Sequence, residues 1–169
     1  MRQTLPVSPG PFDLALPRWI PGHHAPSGDA TLMAGLVIRG GGERLAWQRD
    51  PLDTHVFRVE IPDGARTLEL EFQHLSPVNE GSGRVVMTRE MMNVQWHKLL
   101  LYPAGHAARA IAFQPSLTLP ASWTWAGALR AERSEGATVH FKPVSLDTLV
   151  DSPLFAGVHY KRVELDPAG

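Results

Sequence analysis

Fifteen glycines and fifteen prolines are scattered through the 169 residues as single breakers, about 18% of the chain against a usual ~12%. Each proline removes a backbone donor and forces its predecessor toward extended geometry. Six of them (Pro6, Pro9, Pro11, Pro17, Pro21 and Pro26) fall between Leu5 and Ser27, so that stretch cannot be helical. Breakers spread in this way, rather than gathered into a linker, describe many short strands joined by turns.

The apolar pattern agrees. From Thr54 to Ile61 the apolar set is Phe57, Val59 and Ile61, with Arg58 and Glu60 on the other face. From Thr67 to Gln73 it is Leu68, Leu70 and Phe72, with Glu69 and Glu71 opposite. Period 2 over that length is the mark of a half-buried strand. Between the two, Pro62-Asp63-Gly64 has the residues of a tight turn. Phe12–Leu16 is expected as an edge strand, and Thr31–Ile38 as a strand turned back at Gly40-Gly41-Gly42 into Arg44–Trp47. Further strands are expected at Arg84–Thr88, His97–Tyr102, Arg109–Leu119 (with an edge position or bulge at Pro115), Ala137–Pro143 and Gly157–Leu165. Only residues 145–150 look helical, with Ser145 as cap and Ser152-Pro153 as stop. The expected fold is all-β: an antiparallel β-sandwich or large curved sheet in a single domain over residues 1–169, with one short helix.

Composition then removes whole classes of function. There is no cysteine, which excludes disulfides, thiolate metal sites and cysteine catalysis in this chain. Sixteen basic and seventeen acidic residues give a net charge of −1, without the basic footprint of a nucleic-acid binder. No apolar run approaches the roughly 20 residues of a membrane helix, and no export signal precedes Pro6. A periplasmic or secreted location follows if an upstream signal has been removed, and a cytoplasmic one otherwise.

Motifs that carry chemistry are missing too. Of eight histidines none is followed by glutamate, so the two-histidine zinc helix with its general base is absent. His23-His24 is the one adjacent pair, and neighbours on a strand point to opposite faces. No Gly-x-Ser-x-Gly elbow exists; Glu80-Gly81-Ser82-Gly83 reads as a loop. Glu69 and Glu71 read as a solvated stripe. Five tryptophans are many for this length. Trp123-Thr124-Trp125 on a strand would place two rings on one face, as a carbohydrate-binding module needs. Packing of the rings into the core is the competing reading.

Taken together, several blocks resemble one family. Leu16-Pro17-Arg18-Trp19-Ile20-Pro21-Gly22-His23-His24 resembles the Pro-x-Trp-x-Pro-Gly signature that opens the N-terminal domain of the glycyl aminopeptidases, metallopeptidase family sixty-one. Leu45-Ala46-Trp47, Leu99-Leu100-Leu101-Tyr102-Pro103-Ala104-Gly105, Leu119-Pro120-Ala121-Ser122-Trp123 and Leu149-Val150-Asp151-Ser152-Pro153 are similar to its later blocks, in the same order. The resemblance runs from about Arg2 to Leu165. It implies a non-catalytic β-rich domain beside a thermolysin-like zinc domain. Zinc and the His-Glu-x-x-His helix would then belong to a downstream peptidase domain of the same polypeptide, with no cofactor held here. The partners implied are that domain and the peptide substrate of the parent enzyme. The resemblance also implies that the chain starts inside the domain, since relatives generally have an earlier strand.

Two departures stand out: Phe155 where many relatives carry glutamate, and His23-His24 where many carry a tyrosine after Pro-Gly. No catalytic or metal residue is assigned. His23, His24 and Asp151 are the candidates for the rim of the substrate cleft; Asp151 also fits a turn or capping role before Pro153. The alternative is a freestanding carbohydrate-binding or protein-interaction β-sandwich.

Overall fold

The computed structural model describes residues 1–26, 28–76 and 87–166. The fold is all-β, with several antiparallel sheets and one short α-helix. In the first half the strands are β1 (Arg2–Pro6), β2 (Gly10–Ala15), β3 (Met33–Gly40), β4 (Glu43–Leu45), β5 (Trp47–Arg49), β6 (Val56–Ile61) and β7 (Thr67–His74). The second half carries β8 (Met91–Val94), β9 (Tyr102–Pro103), β10 (Ala112–Phe113), β11 (Ser116–Thr118), β12 (Thr124–Gly127), β13 (Ala131–Glu135), β14 (Thr138–Phe141), β15 (Val144–Ser145), helix α1 (Leu146–Val150) and β16 (Leu154–Gly157).

Two four-stranded sheets, β1-β7-β3-β4 and β5-β6-β2-β9, enclose the first hydrophobic cluster. The two alternating segments sit on opposite sides of it. Phe57, Val59 and Ile61 are buried on β6, and Leu68, Leu70 and Phe72 on β7, while Arg58, Glu60, Glu69 and Glu71 face solvent. Fully burying a side chain of this size contributes roughly 1.5–3 kcal/mol, so these two strands carry much of the core. β6 and β7 do not pair with each other: Pro62-Asp63-Gly64 hands the chain from one sheet to the other. The reverse crossing occurs at Ala46. Arg44–Trp47 is therefore not one strand but the end of β4 in one sheet and the start of β5 in the other. The expected glycine hairpin is present, with Ile38 opposite Leu45 and positive φ at both Gly41 and Gly42.

The second cluster lies among β10-β15, β11-β14-β13, β12-β16-β8 and α1. Phe141, fully buried, takes the edges of two indoles: Trp96 at 6.1 Å and Trp125 at 5.0 Å between centroids. Trp123 also packs on this cluster. Both rings of the Trp-Thr-Trp segment are thus engaged in packing.

Several expected elements change. Phe12–Leu16 is not an edge strand, because β9 pairs with Leu14 and Ala15 and makes β2 an inner strand. β1, which ends on the first proline, Pro6, pairs with β7 along its whole length. Of His97–Tyr102 only Tyr102 enters a strand, as the first residue of β9. Trp96–Lys98 forms a 3-10 turn with Trp96 and His97 both buried, which a pleat covered on one face does not allow. Arg109–Leu119 breaks at Pro115 into β10 and β11, which pair with different partners. Gly157–Leu165 contributes only Gly157 to a strand, with one further backbone bond from the Val158 amide to the Glu90 carbonyl. Arg84–Thr88 lies outside the described residues except for Met87, which bridges Met92, and Thr88; the Glu80–Gly83 loop lies outside them altogether. Ser145 occupies the N-cap of α1, but its hydroxyl bonds the side chains of Asp147 and Thr148 rather than a backbone amide. No helix among the described residues is long and apolar enough to cross a membrane.

Candidate functional site

The loop between β2 and β3 carries the first two candidate residues. Ile20-Pro21-Gly22-His23 closes as a type II turn, with the His23 amide donating to the Ile20 carbonyl at 3.0 Å and Gly22 at φ +79°. Pro21 presets the first corner and only glycine takes the second without strain, which is why the Pro-Gly pair stands here. Ile20 is buried and anchors the turn; Trp19 is 66% exposed beside it. His23 and His24 sit exposed at the tip.

The base of this loop is tightly closed. The Gly28 amide donates to the Arg18 carbonyl at 3.1 Å, and a Cβ on Gly28 would stand 2.1 Å from the Pro17 oxygen. His55 Nε2 donates to the Gly28 carbonyl at 2.8 Å, which fixes the proton on that nitrogen because a carbonyl only accepts. Arg18 pairs with Asp53 at 3.0 Å. Asp50 holds that second loop in turn, accepting from the amides of Leu52 and Asp53 and pairing with Arg58.

Two histidines that sequence spacing does not connect, His74 and His97, lie close enough to interact electrostatically, and His97 is within the same reach of His23. His74 ends β7 opposite Met33, and His97 is in the 3-10 turn, 8% exposed. Burial lowers the His97 pKa to about 4, helped by Lys98, His23 and His74. Burial likewise lowers His74, with Lys98 acting in the same direction and Asp29 against it. His74 Nε2 and His97 Nδ1 are both buried without a hydrogen-bond partner. Asp29 itself is held below the usual carboxylate range by the hydroxyl and amide of Thr31, at 2.6 and 2.8 Å. The charges here are mixed. Among the described residues no group of three or more His, Asp or Glu is arranged to hold a metal ion.

Asp151 is exposed at the C-terminal end of α1. The helix packs on the 3-10 turn, and Trp96 Nε1 donates to the Ser152 carbonyl at 2.9 Å. The Asp151 amide bonds the Asp147 carbonyl, so the capping role is real for its backbone. His23 is close enough to act electrostatically on His97, and Asp151 caps the helix that packs on Trp96–Lys98. The sequence reading missed His74, His97 and Trp96 as parts of this junction. The available signal was Trp96-His97-Lys98 directly before the Leu99–Gly105 block. A separate open groove of about 770 Å³, lined by Met87, Arg89, Met92, Pro120 and Trp123 among others, lies at the edge of the second cluster and is mostly apolar.

These features define a β-sandwich domain whose polar side chains are spent on fixing loops against one another. The sequence profile of the Peptidase M61 N-terminal domain matches residues 1–158, and the chain belongs to that family. In fold it is similar to an aminopeptidase N family protein from Idiomarina loihiensis, with a TM-score of 0.71 at 15% identity over 92% of this chain. The match covers 26% of that protein, so this chain spans about a quarter of its length. Among curated proteins none matches the chain.

Proposed function

We propose that this chain is the non-catalytic N-terminal domain of a zinc metallo-aminopeptidase. In this reading it packs on a zinc peptidase domain downstream in the same polypeptide and walls one side of the peptide cleft. One observation carries it: the family's N-terminal domain already accounts for residues 1–158 of 169. The reacting groups and the zinc then belong to the remainder of the parent. The aminopeptidase fold of the structural neighbour supports the same assignment.

The rim would be formed by His23, His24 and Asp151, which are exposed on loops whose bases are fixed by hydrogen bonds. Cleft residues are commonly drawn from such loops on a rigid scaffold. The test is aminoacyl-substrate hydrolysis by purified 1–169 and by the parent polypeptide, each with and without zinc. Zinc-dependent turnover is expected from the parent alone. Turnover by 1–169 itself would overturn the proposal.

A further inference from the structure

The outer faces of the described sheets differ in one respect. On β6 and β7 they carry Arg58, Glu60, Glu69 and Glu71, and β13 exposes Glu132, Arg133 and Glu135. The outer face of β12-β16-β8 carries no charge at all. Its register sets Ala126, Phe155 and Asn93 side by side in one row, and Thr124, Gly157 and Met91 in the next. Leu154 and Ala156 point into the second cluster, which leaves Phe155 outward and 54% exposed. Asn93 Oδ1, next to Phe155 on this face, is buried without a donor. Just outside the strands, Glu90 and His159 approach each other at 3.4 Å along one edge. The exposed apolar character continues past the strand through Val158, at 40% exposure, and Tyr160, at 50%.

We propose that this face, centred on Phe155, is the surface on which the downstream peptidase domain docks; the inference rests on the reading given under Proposed function. Uncharged faces with a central aromatic ring are the composition of interface cores, where charge is depleted and aromatic residues are enriched. The occupant follows from the path of the chain. β16 is the last strand of the described residues, and the Val158 amide bonds the Glu90 carbonyl as the polypeptide leaves it. Chain beyond this point thus leaves from the end of the uncharged sheet, beside the start of β8, and the structural neighbour has about three-quarters of its length outside the matched region. A domain that follows in the polypeptide is therefore tethered at the end of this sheet.

The absence of cysteine permits a direct test. Phe155→Cys and, as a reference on a charged face, Glu71→Cys are placed separately in the parent polypeptide. Their maleimide labelling rates are read from the mass of the labelled peptide. Docking by this face slows Phe155→Cys at least about tenfold relative to Glu71→Cys, because a covered thiol reacts only through local opening, and leaves the two rates similar in 1–169. Ala126→Cys reports on the same face should Phe155→Cys fold poorly. Equal rates in the parent overturn the inference, as does protection of Phe155→Cys that grows with concentration in 1–169 alone, which would make a second copy the occupant. The readout is independent of turnover. Slow labelling at Glu71 instead would sink the choice of face and leave the peptidase reading standing.

Discussion

Gln3 holds both backbone groups of Leu101, 98 residues away: its Nε2 donates to the Leu101 carbonyl at 2.5 Å, and its Oε1 accepts from the Leu101 amide at 3.0 Å. The side chain on β1 thereby does for the segment ahead of β9 what a neighbouring strand does elsewhere. Gln3→Met keeps the length of the side chain and loses both bonds. The expected cost is about 1–3 kcal/mol, because polar groups are left unpaired in a partly buried place, and it is checked by urea denaturation of 1–169.

Gly28→Ala acts through space alone. The added methyl would meet the Pro17 oxygen at 2.1 Å, so the base of the Arg18–Gly28 loop has to open. A loss of about 1–3 kcal/mol is expected, the usual range for overpacking. Faster tryptic cleavage after Arg18 should accompany the lower melting temperature. On the proposal that His23 and His24 line a peptide cleft, the same variant in the parent raises KM with little change in kcat, since it moves the loop without touching the reacting groups.

Trp96→Phe retains a ring against Phe141 but leaves the Ser152 carbonyl without its donor. Both Trp96 and Ser152 are 7% exposed, so water does not readily take over. A destabilisation of about 1–3 kcal/mol is expected, measured by the shift of the urea midpoint.

The buried histidines give stability a pH dependence with a definite sign. His97 ionises at about 4 in the folded chain, against 6.5 ordinarily. Below 6.5 the unfolded chain takes up a proton that the folded chain refuses. Stability is therefore full above that pH and falls as the pH is lowered toward 4. His74, depressed in the same direction by burial, adds to the slope. His97→Asn should flatten the decline measured by denaturation between pH 7 and pH 4; an unchanged slope would show that His97 does not contribute.

How much of this was legible in the sequence depended on how many faces each segment buries. β6 and β7 bury one face and expose charges on the other, so their alternation could be read directly. β13 is exposed along its whole length and owes its shape to pairing with β14, so Ala131–Glu135 left no apolar trace. Trp96–Leu101 failed for the opposite reason, because consecutive residues are buried in different directions and no period survives. At the candidate site the Pro21-Gly22 turn announced itself through residues that demand one geometry. His74 and His97 did not, since elements far apart in sequence bring them together.

Leu100 belongs to the second hydrophobic cluster and Leu101, its chain neighbour, to the first. One peptide unit, about 3.8 Å between Cα atoms, is thus the whole tether between the two cores at that point. Neither core can slide past the other without drawing a leucine out of its socket. Strain entering at one end of the molecule is passed on as a push rather than absorbed, and calorimetry of 1–169 should register the two halves melting in a single peak.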